Sequence, residues 1–202
     1  MIVSVFNFKG GEGKTGIAVN LALTEGLALI TNDVYSPIES AIPEERLIKL
    51  QKGQDFPDLP ADINVVYDLG GYVDSRTGAV LQRSDWVLIP VQNEYKALQT
   101  AINAIAEAMS FNPNIIVIAN KLESDADFEN IKGVIHGVAA SGNGRARIPV
   151  FPMKKTRAFD HVIEKGKSLR DFVYEGGSLG YHFQTPCEQF DAIIEHLKHA
   201  KR

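Results

Sequence analysis

The run Phe8-Lys9-Gly10-Gly11-Glu12-Gly13-Lys14-Thr15 brings together the residue types that hold phosphate. Glycines let successive backbone N–H groups wrap around phosphate oxygens, where a Cβ would obstruct the turn. The run follows a short apolar segment and opens a helical pattern, so the helix N-terminus aims its dipole at the same anion. In such a loop Lys14 reaches the β- and γ-phosphates of a nucleotide and the Thr15 hydroxyl ligates Mg2+. The general phosphate-loop pattern asks for glycine where Phe8 stands, so a strict pattern search passes over this segment. The plainer alternative is a Gly/Lys loop that only turns the chain.

Ile63-Asn64-Val65-Val66-Tyr67-Asp68-Leu69-Gly70-Gly71 belongs to the same chemistry: an apolar run ending in an acid and two glycines. An acid at the C-terminal end of a strand can hold a water of the Mg2+ shell, and the glycines permit a mobile loop. The other reading makes Asp68 a cap for a helix near Ser75, a role that Asp74 fits better.

The elements that must position these groups read as alternating strands and helices. Met1–Asn7, Leu27–Thr31, Ile63–Asp68, Trp86–Val91 and Ile115–Asn120 are near-continuous apolar runs, as expected of parallel strands covered on both faces. Helical patterns fall at Thr15–Glu25, Glu44–Lys52, Ser75–Arg83, Tyr95–Met109, Asp125–Ala139 and Ala158–Lys165. Thr185-Pro186-Cys187-Glu188 reads as an N-cap, a first-turn proline and a capping-box glutamate. A last helix with the apolar stripe Phe190, Ile193, Ile194 and Leu197 follows it. Ser141–Gly144 and Gly176–Gly180 read as surface loops. The expected fold is α/β and doubly wound, a mostly parallel sheet with helices on both faces and ligands at the strand C-termini. With no internal repeat or long linker, residues 1–202 are expected to form one domain.

Composition narrows the function further. The chain has 202 residues, 45% hydrophobic and 23% charged, with a formal charge of −4. That excludes a uniformly basic nucleic-acid coat but not a local patch. The single cysteine, Cys187, builds no internal disulfide and no cysteine-rich metal site, and its place at a predicted helix start could lower its thiol pKa. His136, His161, His182, His196 and His199 show no metal-ligand spacing. Without a basic leader or ~18 consecutive apolar residues, the chain is expected in the cytoplasm.

The run Lys9-Gly10-Gly11-x-Gly13-Lys14-Thr15 resembles the deviant Walker A motif of the ParA/MinD superfamily, and the resemblance extends in order over nearly the whole chain. In size the chain is similar to the small ParA partition proteins that lack an N-terminal helix-turn-helix domain. The resemblance implies a P-loop ATPase that binds ATP and Mg2+ through Lys9, Gly10, Gly11, Glu12, Gly13, Lys14, Thr15 and Gly16, with Thr15 and Asp68 at the metal. Lys9 takes the place of the signature lysine, which reaches across a nucleotide-sandwich homodimer to the partner's phosphates. It joins Lys14 as a candidate catalytic group. Ser84–Val91 is similar to the family's strand after switch II. By the same resemblance Asn120 contacts adenine, although an asparagine ending a strand is also an ordinary turn residue. Pro152 and Met153 lie where the family closes over the base, and Gly166-Lys167-Ser168-Leu169 resembles its Gly-Lys-Pro-hydrophobic segment.

Four positions, Thr31, Val34, Glu12 and Gly16, depart from the family's pattern. Its second strand normally ends Asp-x-Asp-Pro, where this chain reads Thr31-Asn32-Asp33-Val34. Asp33 is thus the candidate for positioning or activating water, against a solvent-facing turn aspartate. Glu12 stands where the family places a small or apolar residue; a carboxylate near a triphosphate is unfavourable unless it points away or meets a cation. Gly16 replaces a second hydroxyl residue. These departures touch hydrolysis more than binding, and slow, partner-stimulated turnover is expected.

Residues 140–170 carry eight bases, Arg145, Arg147, Lys154, Lys155, Arg157, Lys165, Lys167 and Arg170, against Asp160 and Glu164, a local charge of +6. Such a patch can bind DNA phosphates non-specifically. The alternative is a solvated face, with Lys154 and Lys155 serving the nucleotide. The resemblance implies that an ATP-bound dimer binds non-specific DNA, associates with the nucleoid, and meets a small adaptor or centromere-binding protein in plasmid partition or cargo positioning. Rival readings are a conjugation-associated relative, a nucleotide switch with little hydrolysis, a P-loop ligase, and a MinD-like membrane-positioning ATPase. Glu188, Asp191 and Glu195 on the last helix suit an anionic membrane poorly, which makes core packing the better reading of its stripe.

Overall fold

A computed structural model describes residues 1–60, 63–70, 76–141 and 148–199. In chain order these form β1 (Ile2–Val5), α1 (Lys14–Glu25), β2 (Ala28–Thr31), β3 (Leu47–Lys49), β4 (Val65–Asp68), α2 (Thr77–Arg83), β5 (Trp86–Val91) and α3 (Tyr95–Phe111). Then come β6 (Ile115–Leu122), α4 (Asp125–Ser141), β7 (Val150–Lys154), α5 (Ala158–Lys165), α6 (Leu169–Glu175) and α7 (Gly177–His199). The strands make one sheet in the order β3-β2-β4-β1-β5-β6-β7. Every pairing in it is parallel, so the expected α/β doubly wound architecture is present with a wholly parallel sheet.

The apolar runs are explained by burial on both faces. Successive side chains alternate across a strand. Val66, Leu88, Ile116 and Ile118 face one core with α1, α5, α6 and α7. Val65, Tyr67, Val87 and Ile89 face a second core with α2, α3 and α4. With apolar neighbours on either side, no polar alternation survives. The order reverses at β1, which lies between β4 and β5, and ligand crevices form at such a reversal. Register there sets Val5 beside Asp68 and Thr31 beside Asp68, so the loop leaving β1 starts next to both groups.

Several expectations are corrected. Glu44–Lys52 is not a helix: Glu44–Arg46 make a single 3-10 turn, and Leu47–Lys49 extend the sheet as edge strand β3 beside Leu29–Thr31. The helical pattern there spans too few residues to outcompete an open sheet edge. The last helix starts at Gly177 rather than at Thr185, and Pro186 lies inside it, buried. Phe183, Pro186, Cys187 and Phe190 continue the apolar stripe backward, and burying it outweighs the hydrogen bond that proline forgoes. Gly176 caps α6 while Gly177 and Gly180 belong to α7, so Gly176–Gly180 is a helix junction rather than a loop. Cys187 is therefore mid-helix, and burial pushes its thiol up to about 11 instead of lowering it. Strand β7 and helix α6 are additional elements. Of the expected loop Ser141–Gly144, residues 142–144 lie outside the described residues, as do Gly71, Asp74 and Ser75.

The α3–β6 junction is tied to α2 by one side chain. Buried Asn112 donates from Nδ2 to the carbonyls of Leu81 (2.9 Å) and Ser84 (2.5 Å) and accepts at Oδ1 from Asn114 N (2.9 Å). Asn112→Ala strands these groups away from water and should lower unfolding free energy in urea by about 2 kcal/mol with an unchanged m-value. A change below about 0.5 kcal/mol would show that the junction is held by packing alone.

Candidate functional site

The glycine loop closes over the N-terminus of α1. Gly13 is the N-cap with φ 89°, and no side chain caps the helix, so its first N–H groups remain available to an anion. A Cβ at Gly13 would stand 2.5 Å from Asn120 Nδ2, and one at Gly16 would stand 2.8 Å from Phe159 Cβ. Close approach of α5 thus explains glycine where the family often has a hydroxyl residue. Gly10, Gly11, Gly13, Lys14, Thr15 and Gly16 line one cavity, together with Asp33, Asp68 and Gly70.

The loop is gripped from the ends of β5 and β6. Gly11 O accepts from Gln92 Nε2 (2.9 Å) and Lys121 Nζ (2.8 Å), and Glu12 O accepts from Asn120 Nδ2 (2.7 Å). Lys121 adopts a positive φ of 56° at this point. The two loop lysines are in different surroundings. Lys14 is buried, lines the cavity and donates to Lys9 O (2.9 Å); burial pushes its pKa down, against the charges of Asp68, Glu12 and Asp33. Lys9 does not line the cavity and instead pairs with Glu12 (2.6 Å) and Glu94 (3.1 Å). Glu12 also lies outside the cavity lining, with its carboxylate turned to Lys9 and to Gln92 N (2.8 Å). It both points away and meets a cation, which removes the electrostatic objection to an acid in this loop.

The floor of the cavity is a carboxylate held by hydroxyls. Asp68 Oδ2 accepts from Thr15 Oγ1 (2.9 Å) and from Thr31 Oγ1 (3.4 Å). Thr31, at the end of β2, therefore acts as a donor to Asp68. Its Oγ1 also accepts from Asp33 N (3.0 Å), while Asp33 Oδ1 accepts from Tyr35 N (3.2 Å). Thr15 and Asp68 form the hard oxygen pair that suits Mg2+ beside phosphate, and a glycine cradle adjoins them.

A second cavity adjoins the first at Gly13 and Gly16 and is lined by Asn120, Lys121, Lys154, Thr156, Phe159, Asp160 and Ile163. Asn120 is thus beside the loop cavity. The side chains of Pro152 and Met153 are in neither cavity: Met153 is fully buried in the core, and Pro152 lines a depression against Ser124, Phe128 and Gln189. Thr156, Phe159 and Asp160 were not singled out from sequence; the helical pattern at Ala158–Lys165 was the available signal. Glu94 and Gln92, which act on the loop from the end of β5, carry no sequence signal.

The basic stretch is partly neutralised. Lys155 pairs with Glu123, Lys167 with Glu175 (2.6 Å), and Arg170 with Asp191 (2.8 Å) and Glu25 (3.5 Å). Lys154, Arg157 and Lys165 are exposed with no acidic partner among the described residues; Arg145 and Arg147 lie outside those residues. The stripe of α7 is buried in the core. Among the described residues no helix is long and apolar enough to cross a membrane.

The Asp68 carboxyl is pushed up to about 6, first by burial, against donation from Thr15 and the charge of Lys14. The folded chain keeps this proton where the unfolded chain has released it. The resulting stability is full below about pH 4 and is lost as pH rises through about 6. Urea unfolding of nucleotide-free protein should show a loss on the order of 2 kcal/mol from this source between about pH 4 and about pH 7. Asp68→Asn should remove it; identical pH profiles of the two proteins would refute the shift.

No family model and no curated protein matches the sequence. Solved structures do match over most of the chain. An ATP complex of a McdA variant from Cyanothece superimposes with a TM-score of 0.68 at 13% identity, covering 97% of this chain and 95% of that one. MinD from Pyrococcus horikoshii, complexed with Mg-ADP, gives 0.65 at 14% identity and coverages of 99% and 96%. A plasmid partition protein from Borrelia burgdorferi gives 0.52 at 16% identity and coverages of 87% and 98%. At 13%, 14% and 16% identity the likeness is one of fold: the chain has the wholly parallel α/β fold shared by these McdA, MinD and partition proteins of the ParA/MinD type.

Proposed function

We propose that the chain is a ParA-type ATPase that binds ATP with Mg2+, forms an ATP-dependent homodimer, and binds non-specific duplex DNA. It acts in plasmid partition or cargo positioning through slow hydrolysis stimulated by an adaptor protein. The observation that carries this reading is one glycine loop with two lysines in distinct roles. Lys14 lines the phosphate cavity beside Thr15 and Asp68, and Lys9 sits outside it on the rim. A lysine that faces its own cavity serves its own nucleotide; one on the rim is placed to serve a facing subunit.

Thr15 and Asp68 would hold Mg2+, which supplies neutralisation of charge on the phosphates. The loop N–H groups and Lys14 orient the phosphates, and Asp33, on the cavity wall, positions the attacking water. Turnover is expected to be slow because one acid is available here where the family has two. Asn120 and Phe159 line the space proposed for the base. Lys154, Arg157 and Lys165 supply the unpaired cations for DNA phosphates. The same loss of an acid at Thr31 favours a second reading, a nucleotide switch with little hydrolysis.

Binding to non-specific duplex DNA should occur with ATP, not with ADP or without nucleotide, and should weaken steeply with salt. Reversing charge at Lys154, Arg157 and Lys165 should weaken it by at least about tenfold. Lys9→Ala should keep nucleotide binding while losing dimer and DNA binding, whereas Lys14→Ala should lose nucleotide binding. DNA binding in no nucleotide state would sink the DNA-surfing mechanism; dimers without measurable phosphate release would establish the switch.

A further inference from the structure

Glu12 is the residue of the loop that neither phosphate chemistry nor the fold requires. Its side chain has no exposed surface, yet it carries a carboxylate. Oε2 accepts from Gln92 N (2.8 Å), and its own carbonyl is held by Asn120 Nδ2 (2.7 Å), so the group is fixed at both ends. Oε1 is left to one cation, the Lys9 ammonium at 2.6 Å. Lys9 keeps 28% of its side-chain surface and also touches Glu94, whose side chain is 62% exposed. The two acids hold it unequally. Glu94 can return to water when the lysine leaves, at little cost. Glu12 cannot follow the lysine and would remain as a buried carboxylate with one backbone donor, which is strongly unfavourable.

We infer that Glu12 is a positioning residue that holds the Lys9 ammonium within its own subunit and thereby sets the protein concentration at which the ATP-bound dimer forms. The inference rests on the dimer reading above. In that reading Lys9 must leave Glu12 to reach a facing nucleotide, and each subunit breaks one such pair, so the restraint acts twice per dimer. The Lys9 ammonium is also pushed toward a higher pKa, with the bond to Glu12 as the largest cause. A dimer held back in this way forms when local concentration is high, as on a DNA surface.

Glu12→Gln keeps the volume and an oxygen acceptor for Gln92 N while removing the charge. Acylation of Lys9 by acetic anhydride, followed by mass spectrometry on nucleotide-free protein, reads the pairing without any dimer. Wild-type Lys9 should react at least about tenfold more slowly than Lys154, which is exposed and without an acidic partner. Glu12→Gln should speed Lys9 labelling several-fold, and Glu94→Gln by less than about twofold. Sedimentation with ATP should place the dimerisation midpoint of Glu12→Gln at least about tenfold lower in protein concentration than that of the wild type. Equal labelling of Lys9 and Lys154 in the wild type overturns the pairing, even if the variant does not fold. Faster labelling with an unchanged or higher midpoint overturns the restraint. If neither protein dimerises with ATP while labelling still accelerates, the dimer reading itself fails and the restraint falls with it, although the pairing stands.

Discussion

The arrangement depends on keeping a buried carboxylate at the point where three strands end together. Asp68 is nearly inaccessible to solvent, beside Val5 and Thr31 in the sheet register. Water cannot solvate it there, so protein donors must: Thr15 from the helix start and Thr31 from β2. The nearby Lys14 charge pulls in the same direction, and burial still wins, as the raised pKa shows. Such a carboxylate is poorly satisfied without a counter-charge, which agrees with the metal role proposed for it. Thr31, beside Asp68 in the sheet register, supplies a hydroxyl and no second negative charge. The cavity thus keeps its oxygen ligand while reducing the repulsion around it.

A glycine loop needs outside support, because its own backbone has little preference for one shape. Here the support comes from the ends of β5 and β6. Gln92 and Lys121 converge on Gly11 O, and Asn120 holds Glu12 O. Asn120 therefore serves the loop from one atom while facing the second cavity. The pinning also decides what the two lysines can do: with Gly11 and Glu12 fixed, Lys14 points inward and Lys9 stays at the rim. Charges of both signs crowd the loop, and each has a counterion or a hydrogen-bond partner.

Away from the loop, charge counts from sequence mislead unless pairing is known. Residues 140–170 carry a large formal excess of bases, but Lys155, Lys167 and Arg170 already face acids from the turn after β6 and from α6, α7 and α1. Exposed pairs of this kind are weak and open readily beside phosphate. Among the described residues, the cations ready for an external anion without that exchange are Lys154, Arg157 and Lys165, at the end of β7 and around α5. Their position next to the proposed base cavity would couple the two surfaces through a short element.

Local chemistry was legible in the amino-acid order because the phosphate loop, its strand and its helix are contiguous. A glycine run between an apolar strand and a helix has one economical arrangement, and parallel strands buried on both faces read as continuous apolar runs. Edge strand β3 and the true start of α7 were not legible. Each was decided by non-local burial, an open sheet edge in one case and a long apolar stripe in the other. The same limit applies to the site. That residues 9 and 14 are lysines is written in the chain, and so is the acid between them. Only the tertiary structure decided that Glu12 turns to Gln92 N and the nearby Lys9 rather than to phosphate, because the Gln92 contact joins residues 80 apart and depends on where β5 ends.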